Sequence, residues 1–536
     1  MKGQQTFAGT GKLLYFMMKR DRVIIPVWIL SLALLVLVTL MSFEGLYPTE
    51  TDRQIAAATM SNPAALAMTG PKLYLGDYTF GAMISHQMLG MTGIAVAFMS
   101  ILLVTRHTRK EEETGRLELV RATVTGRYAN ISAALLLVCM TNLTLALILA
   151  CGMGALGIES VTWEGSFLFA AALGSMGIVF AAAAIVLVQL LEYSRGVVGS
   201  SIALVAVAFS LRAVGDLGDG FLSWLSPIGW AQQTSAFVDN DWSPLLWSAA
   251  LTIMLAIIAY PLSTRRDVGA GMLPPRRGRD SASPALTTPI GLAFRLQRTN
   301  IAIWSLAMLL FGMAYGFFIG EAEEMMSSVG DKLEGMLPEA GTGLFADSIA
   351  AMFMAVAAII ACIPALQSIL KLRSEEHAGR IDTLLAAAVS RSRLMGSYLL
   401  IAALNGIALM FMAGLGMGIT GSHSMDDTRY LPELIAAGLN FIPVLWFAIG
   451  LAAALTGWVP KAAALSWIVV IYAFIALYLG GALQLPDWML NLSPLQHIPR
   501  LPAEHFEWLP LGMLTLGATA LAIIGWLGFR RRDLSL

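Results

Sequence analysis

Twelve runs of roughly 20 predominantly apolar residues constrain this chain more than any other feature of its sequence. A helix needs about 20 such residues to cross the hydrocarbon of a bilayer. Strands are excluded because the runs are continuous rather than alternating, and an open sheet cannot satisfy its edges in lipid. The sequence therefore predicts an all-α polytopic membrane protein whose spans lie near residues 23–42, 80–104, 130–152, 166–190, 197–214, 244–262, 301–320, 346–370, 394–420, 431–455, 462–484 and 509–529.

The composition excludes several other classes of protein. Only 13% of the 536 residues are charged, about half the proportion typical of soluble proteins. An ordinary cytosolic enzyme, a disordered protein and a nucleic-acid binder are therefore excluded. The net charge of −1 gives no reason to expect an anionic partner. Because all three cysteines lie in apolar runs, neither a disulfide framework nor a metal site is indicated.

The basic residues orient the predicted helices. If both termini are cytoplasmic, all but six of the 34 lysines and arginines fall in cytoplasmic segments. The exceptions are five residues in outer loops, Arg53, Lys72, Lys332, Arg429 and Arg500, and one residue within the fifth span, Arg212. This alternation predicts twelve transmembrane helices, both termini in the cytoplasm and a multi-pass location in the plasma membrane.

No acidic residue lies near the middle of a predicted span, which argues against a carrier that binds a coupling ion there. Arg212 lies close enough to the outer face to snorkel towards it. The polar residues inside the spans are expected to form interhelical hydrogen bonds, with substrate contact as the alternative. They are His86, Gln87, Asn142, Gln189, Asn405 and Asn440.

The chain is a tandem duplication. The loop after span two begins Arg109-Lys-Glu-Glu-Glu-Thr-Gly-Arg, and the loop after span eight begins Arg373-Ser-Glu-Glu-His-Ala-Gly-Arg, 264 residues later. Further matches follow in order, including Arg265-Arg266-Asp267 with Arg531-Arg532-Asp533. Because each half has an even number of helices, the halves are predicted to be parallel six-helix repeats. The predicted domains are residues 1–263 and 301–536, joined by a cytoplasmic linker and interfacial segment at 264–300.

Two segments that precede the first helix of each half have amphipathic patterns. Apolar residues alternate with basic ones in residues 7–20 and again in residues 292–298. Both patterns are typical of helices that lie in the cytoplasmic interface. A frayed N-terminal extension is the alternative for such short segments.

The duplicated loop is the strongest candidate for a functional site. Glu112 and Arg116 are four residues apart, as are Glu376 and Arg380, which is the favourable order for a helical ion pair. Such a pair contributes only about 0.2–0.5 kcal/mol, so stability alone does not explain its repetition. The intervening glycine, Gly115 or Gly379, indicates a bend between the membrane helix and a short surface helix. A solvated charge run would explain the arginines but not the paired glutamates, the glycine or their repetition.

At these residues the sequence resembles the permeases of ABC-2-type exporters. The pattern R-x-E-E-x-x-G-R-x-[DE] after the second helix is similar to their cytoplasmic loop. The doubled pattern, the Leu-Ser-Pro motif before the sixth helix and the Arg-Arg-Asp segment after it resemble the double-length subgroup described as exporters of polyketide antibiotics (tetronasin type). The family often continues with Pro-Val, whereas Thr123-Val124 and Ala388-Val389 stand here.

The resemblance implies that separate ATPase subunits push on these two loops. Carried over by position, the coupling residues are Arg109, Glu111, Glu112, Gly115, Arg116 and Glu118, and Arg373, Glu375, Glu376, Gly379, Arg380 and Asp382. The implied partner is an ABC ATPase in two copies, one under each half. ATP and magnesium would be bound by that partner, and no cofactor is expected in this chain. No residue identifies the substrate site.

The chain itself carries no phosphate-binding loop and no hydrolytic motif, so we expect a transporter subunit rather than an enzyme. The favoured function is export of an amphipathic small molecule, such as an antibiotic or a drug-like compound. Two alternatives remain: an ion-driven drug carrier of the major facilitator type, and a membrane sensor that does not transport.

Overall fold

The protein is described by a computed structural model that covers residues 6–122, 125–267, 269–273, 280–333, 342–386, 389–479 and 486–532. These described residues form helices and turns without strands, and they include twelve segments long and apolar enough to cross a membrane. The predicted all-α, twelve-helix fold class is therefore confirmed. The chain divides into two compact units, Met1–Gly278 and Arg279–Leu536. The cytoplasmic side of the termini and the parallel arrangement of the repeats stay predictions.

The first unit is built around α9, which packs against α5, α8, α10 and α12. Six of its helices form the membrane segments: α2, α5, α8, α9, α10 and α12. The helices are α1 (Thr10–Arg20), α2 (Ile24–Leu46), α3 (Glu50–Met60), α4 (Pro63–Met68), α5 (Phe80–His107), α6 (Arg109–Glu113), α7 (Arg116–Arg121), α8 (Ala129–Ala155), α9 (Trp163–Leu190), α10 (Ser194–Leu217), α11 (Pro227–Gln232) and α12 (Pro244–Arg265). Short 3₁₀ turns lie at Lys72–Tyr74 and Ser223–Leu225.

The second unit is built around α16, which packs against α13, α14, α17, α18 and α21. Its helices are α13 (Pro289–Leu333), α14 (Thr342–His377), α15 (Arg380–Leu385), α16 (Arg391–Ser424), α17 (Tyr430–Asn440), α18 (Ile442–Trp458), α19 (Ile468–Phe474), α20 (Asp487–Leu490) and α21 (Trp508–Arg531). The 3₁₀ segments are Pro284–Thr287, Pro460–Trp467 and Pro494–His497, and a π-helical turn follows α19 at Ile475–Leu479.

Several membrane helices begin where a hydroxyl side chain caps the first turn. Thr79 Oγ1 accepts a hydrogen bond from the Ala82 N–H at the start of α5. Ser390 Oγ accepts one from the Arg393 N–H at the start of α16. These caps satisfy backbone donors that have no partner within the helix. The chain can therefore enter a membrane helix directly from a loop.

The two amphipathic segments differ in structure. Residues 10–20 form a separate helix, α1, which packs on α8 through Met17 and leaves Tyr15 and Phe16 exposed. Residues 292–298, by contrast, are the beginning of the long helix α13. Because no proline or glycine cap follows them, the helix continues without a break into span seven. The expected separate interfacial helix of the second half is therefore absent from the described residues.

Two of the intramembrane polar side chains join neighbouring helices. Asn142 of α8 donates to Ser100 of α5 at 3.0 Å, and Asn405 of α16 donates to Ser368 of α14 at 3.0 Å. In the first unit His86 lies 2.9 Å from the Tyr78 hydroxyl. These contacts favour the interpretation that such residues stabilise helix packing in lipid.

The expectation that Arg212 snorkels is wrong. Its guanidinium is fully buried and lies 3.3 Å from the carboxylate of Asp216, four residues further along α10. It also donates to the carbonyl oxygens of Leu66 and Met68. A buried charge needs such partners, and they hold this side chain inside the protein instead of at the lipid surface.

Close contact between α13 and α16 depends on glycines. An added Cβ at Gly416 would collide with the Leu309 carbonyl oxygen, and one at Gly312 would collide with the Ala413 carbonyl oxygen. Small residues allow the two backbones to approach closely. The resulting van der Waals contacts drive helix association in lipid, where there is no hydrophobic effect between helices.

Gly416→Val is therefore expected to separate α13 from α16 and to lower the melting temperature of the detergent-solubilised protein by several degrees, since overpacking costs about 1–3 kcal/mol. Gly396→Val on the same helix is the matched control, because a Cβ at Gly396 meets no atom within 4 Å. Equal melting temperatures for the two variants would contradict this packing. The measurement is thermal unfolding followed by size-exclusion chromatography.

Candidate functional site

The two duplicated loops form the same bend. In the first unit α5 ends at His107, α6 follows, and Gly115 separates α6 from α7. In the second unit α14 ends at His377, and Gly379 separates it from α15. The φ angles of the two glycines are +70° and +69°, a region that other residues rarely adopt. The predicted bend before a short helix is thus present in both loops.

A matching hydrogen bond closes each turn. The N–H of Gly115 donates to the Glu112 carbonyl at 3.0 Å, and the N–H of Gly379 donates to the Glu376 carbonyl at 2.9 Å. A left-handed glycine with such a bond is a common way to end a helix. The second glutamate of each motif consequently lies at the same point of the same turn.

In the first unit the Glu112 carboxylate lies between two arginines. Arg266, just after α12, donates to both of its oxygens, at 2.5 and 2.7 Å. Arg109 donates to the same carboxylate at 2.6 Å. The Glu112 side chain is only 4% exposed. This two-arginine arrangement, with one bidentate contact, is a strong form of ion pair.

Arg109 fastens the loop to two further segments. Its side chain has no solvent exposure and donates to the carbonyl oxygens of Glu192, Gly269 and Ala270. Glu192 lies between α9 and α10, and residues 269–270 follow α12. Arg109 therefore joins three segments, all of which the distribution of basic residues predicts to face the cytoplasm.

The second unit repeats the central contact. Arg532, just after α21, forms an ion pair with Glu376. Arg373 lies 3.8 Å from the same carboxylate. Here the cluster is more open, because Arg373 is 32% exposed whereas Arg109 is fully buried. The described residues thus contain two related charge clusters of unequal burial.

The predicted i,i+4 ion pairs are wrong in their partners. Glu112 pairs with Arg109 and Arg266, while Arg116 lies 3.9 Å from Glu111. The glycine turn is the physical reason: it ends the helix before the basic residue, so the two side chains do not share a helix face.

The same correction holds in the second unit. Arg380 pairs with Glu375, 2.5 Å from its carboxylate, while Glu376 pairs with Arg532. The hydrogen bond to Glu375 raises the pKa of the Arg380 guanidinium above its ordinary value. Lys371 holds the other oxygen of Glu375 at 2.9 Å.

Not all predicted coupling residues join these clusters. Glu118 on α7 and Asp382 on α15 are exposed, and neither forms an ion pair within the described ranges. Arg116 and Arg380 are also largely exposed, at 59% and 55%. Each loop therefore has a buried acidic anchor and an exposed charged face. Thr123, Val124 and Ala388, where the sequence departs from the family pattern, lie outside the described residues.

Sequence reasoning missed Arg266 and Arg532 as members of the site. Both were recognised only as matching positions of the two halves. It also missed Arg20, which forms an ion pair with Glu111. One feature of the sequence could have indicated the contacts of Arg266 and Arg532. The Arg-Arg-Asp segment and the glutamate pair are both present in each half, which is expected of residues that contact each other.

Twelve candidate membrane-spanning helices among the described residues define a multi-pass membrane protein. The chain matches the family described as "Multidrug efflux system permease Rv1217c, C-terminal domain" over residues 16–261 and 286–530. It is 36% identical to the multidrug efflux system permease protein Rv1217c of Mycobacterium tuberculosis (strain ATCC 25618 / H37Rv) over 536 aligned residues, covering 98% of this chain and 95% of that protein. The chain belongs to this family of multidrug efflux permeases. The comparisons support a drug-exporting permease and not the tetronasin-type subgroup that the motifs had indicated.

The unequal burial of the two clusters gives a stability prediction. Glu112→Ala leaves two largely buried arginines without a carboxylate, and breaking a buried pair costs about 3–5 kcal/mol. Glu376→Ala leaves Arg532 and Arg373, which are 16% and 32% exposed, so its cost is expected to be smaller, about 1–3 kcal/mol. Hydrogen–deuterium exchange is measured relative to the unmodified chain. The increase in exchange over residues 109–121 in Glu112→Ala should exceed the increase over residues 373–386 in Glu376→Ala. Equal increases would contradict the difference in burial.

Proposed function

We propose that this chain is the permease subunit of an ATP-binding-cassette exporter. It moves amphipathic small molecules, of the antibiotic or drug-like class, out of the cell. Separate ATPase subunits, one under each half, bind ATP and magnesium and dock on the helices α6, α7 and α15. In this proposal the two six-helix repeats, residues 1–263 and 301–536, are parallel, both termini are cytoplasmic, and residues 264–300 link the repeats.

The observation that carries the proposal is the repeated brace between the loop after the second span and the end of the sixth. Glu112 is held by Arg266, and Glu376 is held by Arg532. A force applied to α7 or α15 would therefore reach two membrane helices of that unit at once. A loop without this brace would bend before it transmitted the force.

The exposed side of each loop supplies the docking surface. Glu118 and Asp382 occupy corresponding positions on α7 and α15, next to the exposed Arg116 and Arg380. Alternating exposed charges favour binding to a folded protein surface of complementary charge. Membership of an efflux permease family agrees with a motor that is supplied by a separate subunit.

The double variant Glu118→Ala/Asp382→Ala tests this function. It removes one exposed carboxylate from each docking surface and leaves both buried clusters in place, so we expect insertion and thermal stability to be unchanged. ATP-dependent uptake of an amphipathic fluorescent dye into inside-out vesicles should fall about tenfold or more, because removal of interface charges that pair with a partner costs about 2 kcal/mol or more.

The matched control is Asp239→Ala/Asp280→Ala, which makes the same change in charge at two exposed residues outside the loops. It should retain dye uptake. Uptake that survives ATP removal but is abolished by a protonophore would contradict the proposal and favour the ion-driven carrier. Equal activity of the two double variants and the unmodified chain would contradict docking at these loops.

A further inference from the structure

A cavity of about 760 Å³ lies in the first unit beside the candidate coupling loop. It is bounded by the start of α2, the end of α5, α6 and the start of α10. This volume is within the range of small-molecule sites, about 300–1,000 Å³. By the charge-based orientation, the cavity is at the level of the cytoplasmic leaflet.

The lining has two chemically different parts. One part is basic and is formed by Arg106, Lys110 and Arg195. The other is apolar and consists of side chains that extend towards the membrane interior: Ile24, Trp28, Leu102, Leu103 and Val198. A molecule with an anionic head and an apolar body would match both parts.

The acidic group in the cavity is already engaged. Glu113 accepts hydrogen bonds from the Ser194 N–H at 2.5 Å and from its hydroxyl at 2.7 Å. Lys110 and Arg195, by contrast, form no ion pair with any described residue. Lys110 and Arg195 outnumber the single carboxylate of this lining, so the lining favours an external anion.

Two buried polar atoms beside these cations also lack a partner. Thr105 lines the cavity, and its buried hydroxyl oxygen forms no hydrogen bond within the described chain. The Nε of Arg106 is likewise buried and without a hydrogen-bond acceptor among the described residues, while its Nη2 lies 3.0 Å from Asp21. Both atoms are enclosed by protein, so an anionic head group would contact the exposed Lys110 and Arg195 directly and these two atoms only if their side chains rotate.

The second half does not repeat this lining. At the offset of 264 residues, Leu370, Ser374 and His377 stand at the positions of Arg106, Lys110 and Glu113. Two of the three basic lining residues, Arg106 and Lys110, are thus not repeated in the second half, unlike the coupling motif, which both halves have.

We propose that the cavity between α2, α5, α6 and α10 binds one amphiphile with an anionic head group per chain. The head lies against Lys110, Arg195 and Arg106, and the apolar body lies against Trp28 and its neighbours. The ligand is either an anionic phospholipid of the inner leaflet or a water-borne anionic amphiphile, which have this chemistry in common. The proposal concerns binding and does not depend on transport or on an ATPase.

The test is native mass spectrometry of the purified full chain titrated with dioctanoyl-phosphatidylglycerol and dioctanoyl-phosphatidylcholine. We expect one molecule of the anionic lipid per chain, bound about tenfold or more tightly than the zwitterionic lipid. The double variant Lys110→Ser/Arg195→Gln should lose this preference, because each nearby basic residue contributes about 1 kcal/mol to attraction of an anionic lipid. Similar affinities for the two lipids in the unmodified chain would overturn the proposal.

Lys19→Ser/Arg22→Gln is the matched control, since it removes the same charges from exposed positions outside the cavity and should retain the preference. Equal loss in both double variants would overturn the assignment to this cavity. If the first variant does not fold, Val198→Trp fills the cavity instead and should abolish the one-to-one complex, and retention of the complex would refute the site.

A second pair of measurements distinguishes the sources of the ligand. A phospholipid retained by the chain through purification from its own membrane, and lost in Val198→Trp, identifies a lipid site. Binding of the dye 8-anilinonaphthalene-1-sulfonate to the unmodified chain but not to Val198→Trp, with no retained phospholipid, identifies a water-borne amphiphile. Both results support the anionic-amphiphile site, whereas dye binding and lipid retention that are unchanged by Val198→Trp contradict it.

Discussion

A carboxylate held by an arginine from another segment is the contact on which the candidate site depends. Glu112 with Arg266, and Glu376 with Arg532, each join the loop after a second span to the end of a sixth. Besides this contact, α7 and α15 are held by the glycine turn and by the buried side chains of Leu117 and Ile381. The enclosed Glu112 pair is costly to separate and the more open Glu376 pair is less so, so the brace is stronger in the first unit.

The two units use this contact with different degrees of enclosure. The first cluster includes a fully buried arginine that also binds three backbone carbonyl oxygens. The second cluster is open enough for water to reach Arg373. The basic cavity residues Arg106 and Lys110 are likewise not repeated in the second half. The duplication has thus kept the brace in both halves, whereas its surroundings have diverged.

Much of the fold could be predicted because crossing a membrane requires long apolar runs, and helices are the only form that satisfies their backbone there. The bends at Gly115 and Gly379 were predictable for a similarly local reason, since a glycine inside a charged helix is costly. The continuous helix α13 was not foreseen, because an amphipathic pattern does not indicate where a helix ends. Arg212 was misplaced, although Asp216 stands four residues later and could have indicated a buried pair.

The site was predicted in position but not in its contacts. Residue spacing suggested partners within each loop, yet the glycine turn places Arg116 and Arg380 next to the first glutamate and leaves the second for Arg266 and Arg532. A repeat offset relates equivalent residues of two halves, and it does not report which residues meet within one half. That information arises only when loops distant in sequence are brought to the same end of the helices.

The central claim is that α7 and α15 receive an ATPase, and site-specific photocrosslinking tests it most directly. A photoreactive amino acid placed at position 118 or 382 in the full chain, in its own membrane, should crosslink to a protein that contains a phosphate-binding loop. Crosslinking should change when ATP is added, and the same probe at position 280 should give no such product. The account would be contradicted if the ATPase crosslinked only from position 280. It would also be contradicted if positions 118 and 382 gave no crosslink to an ATPase.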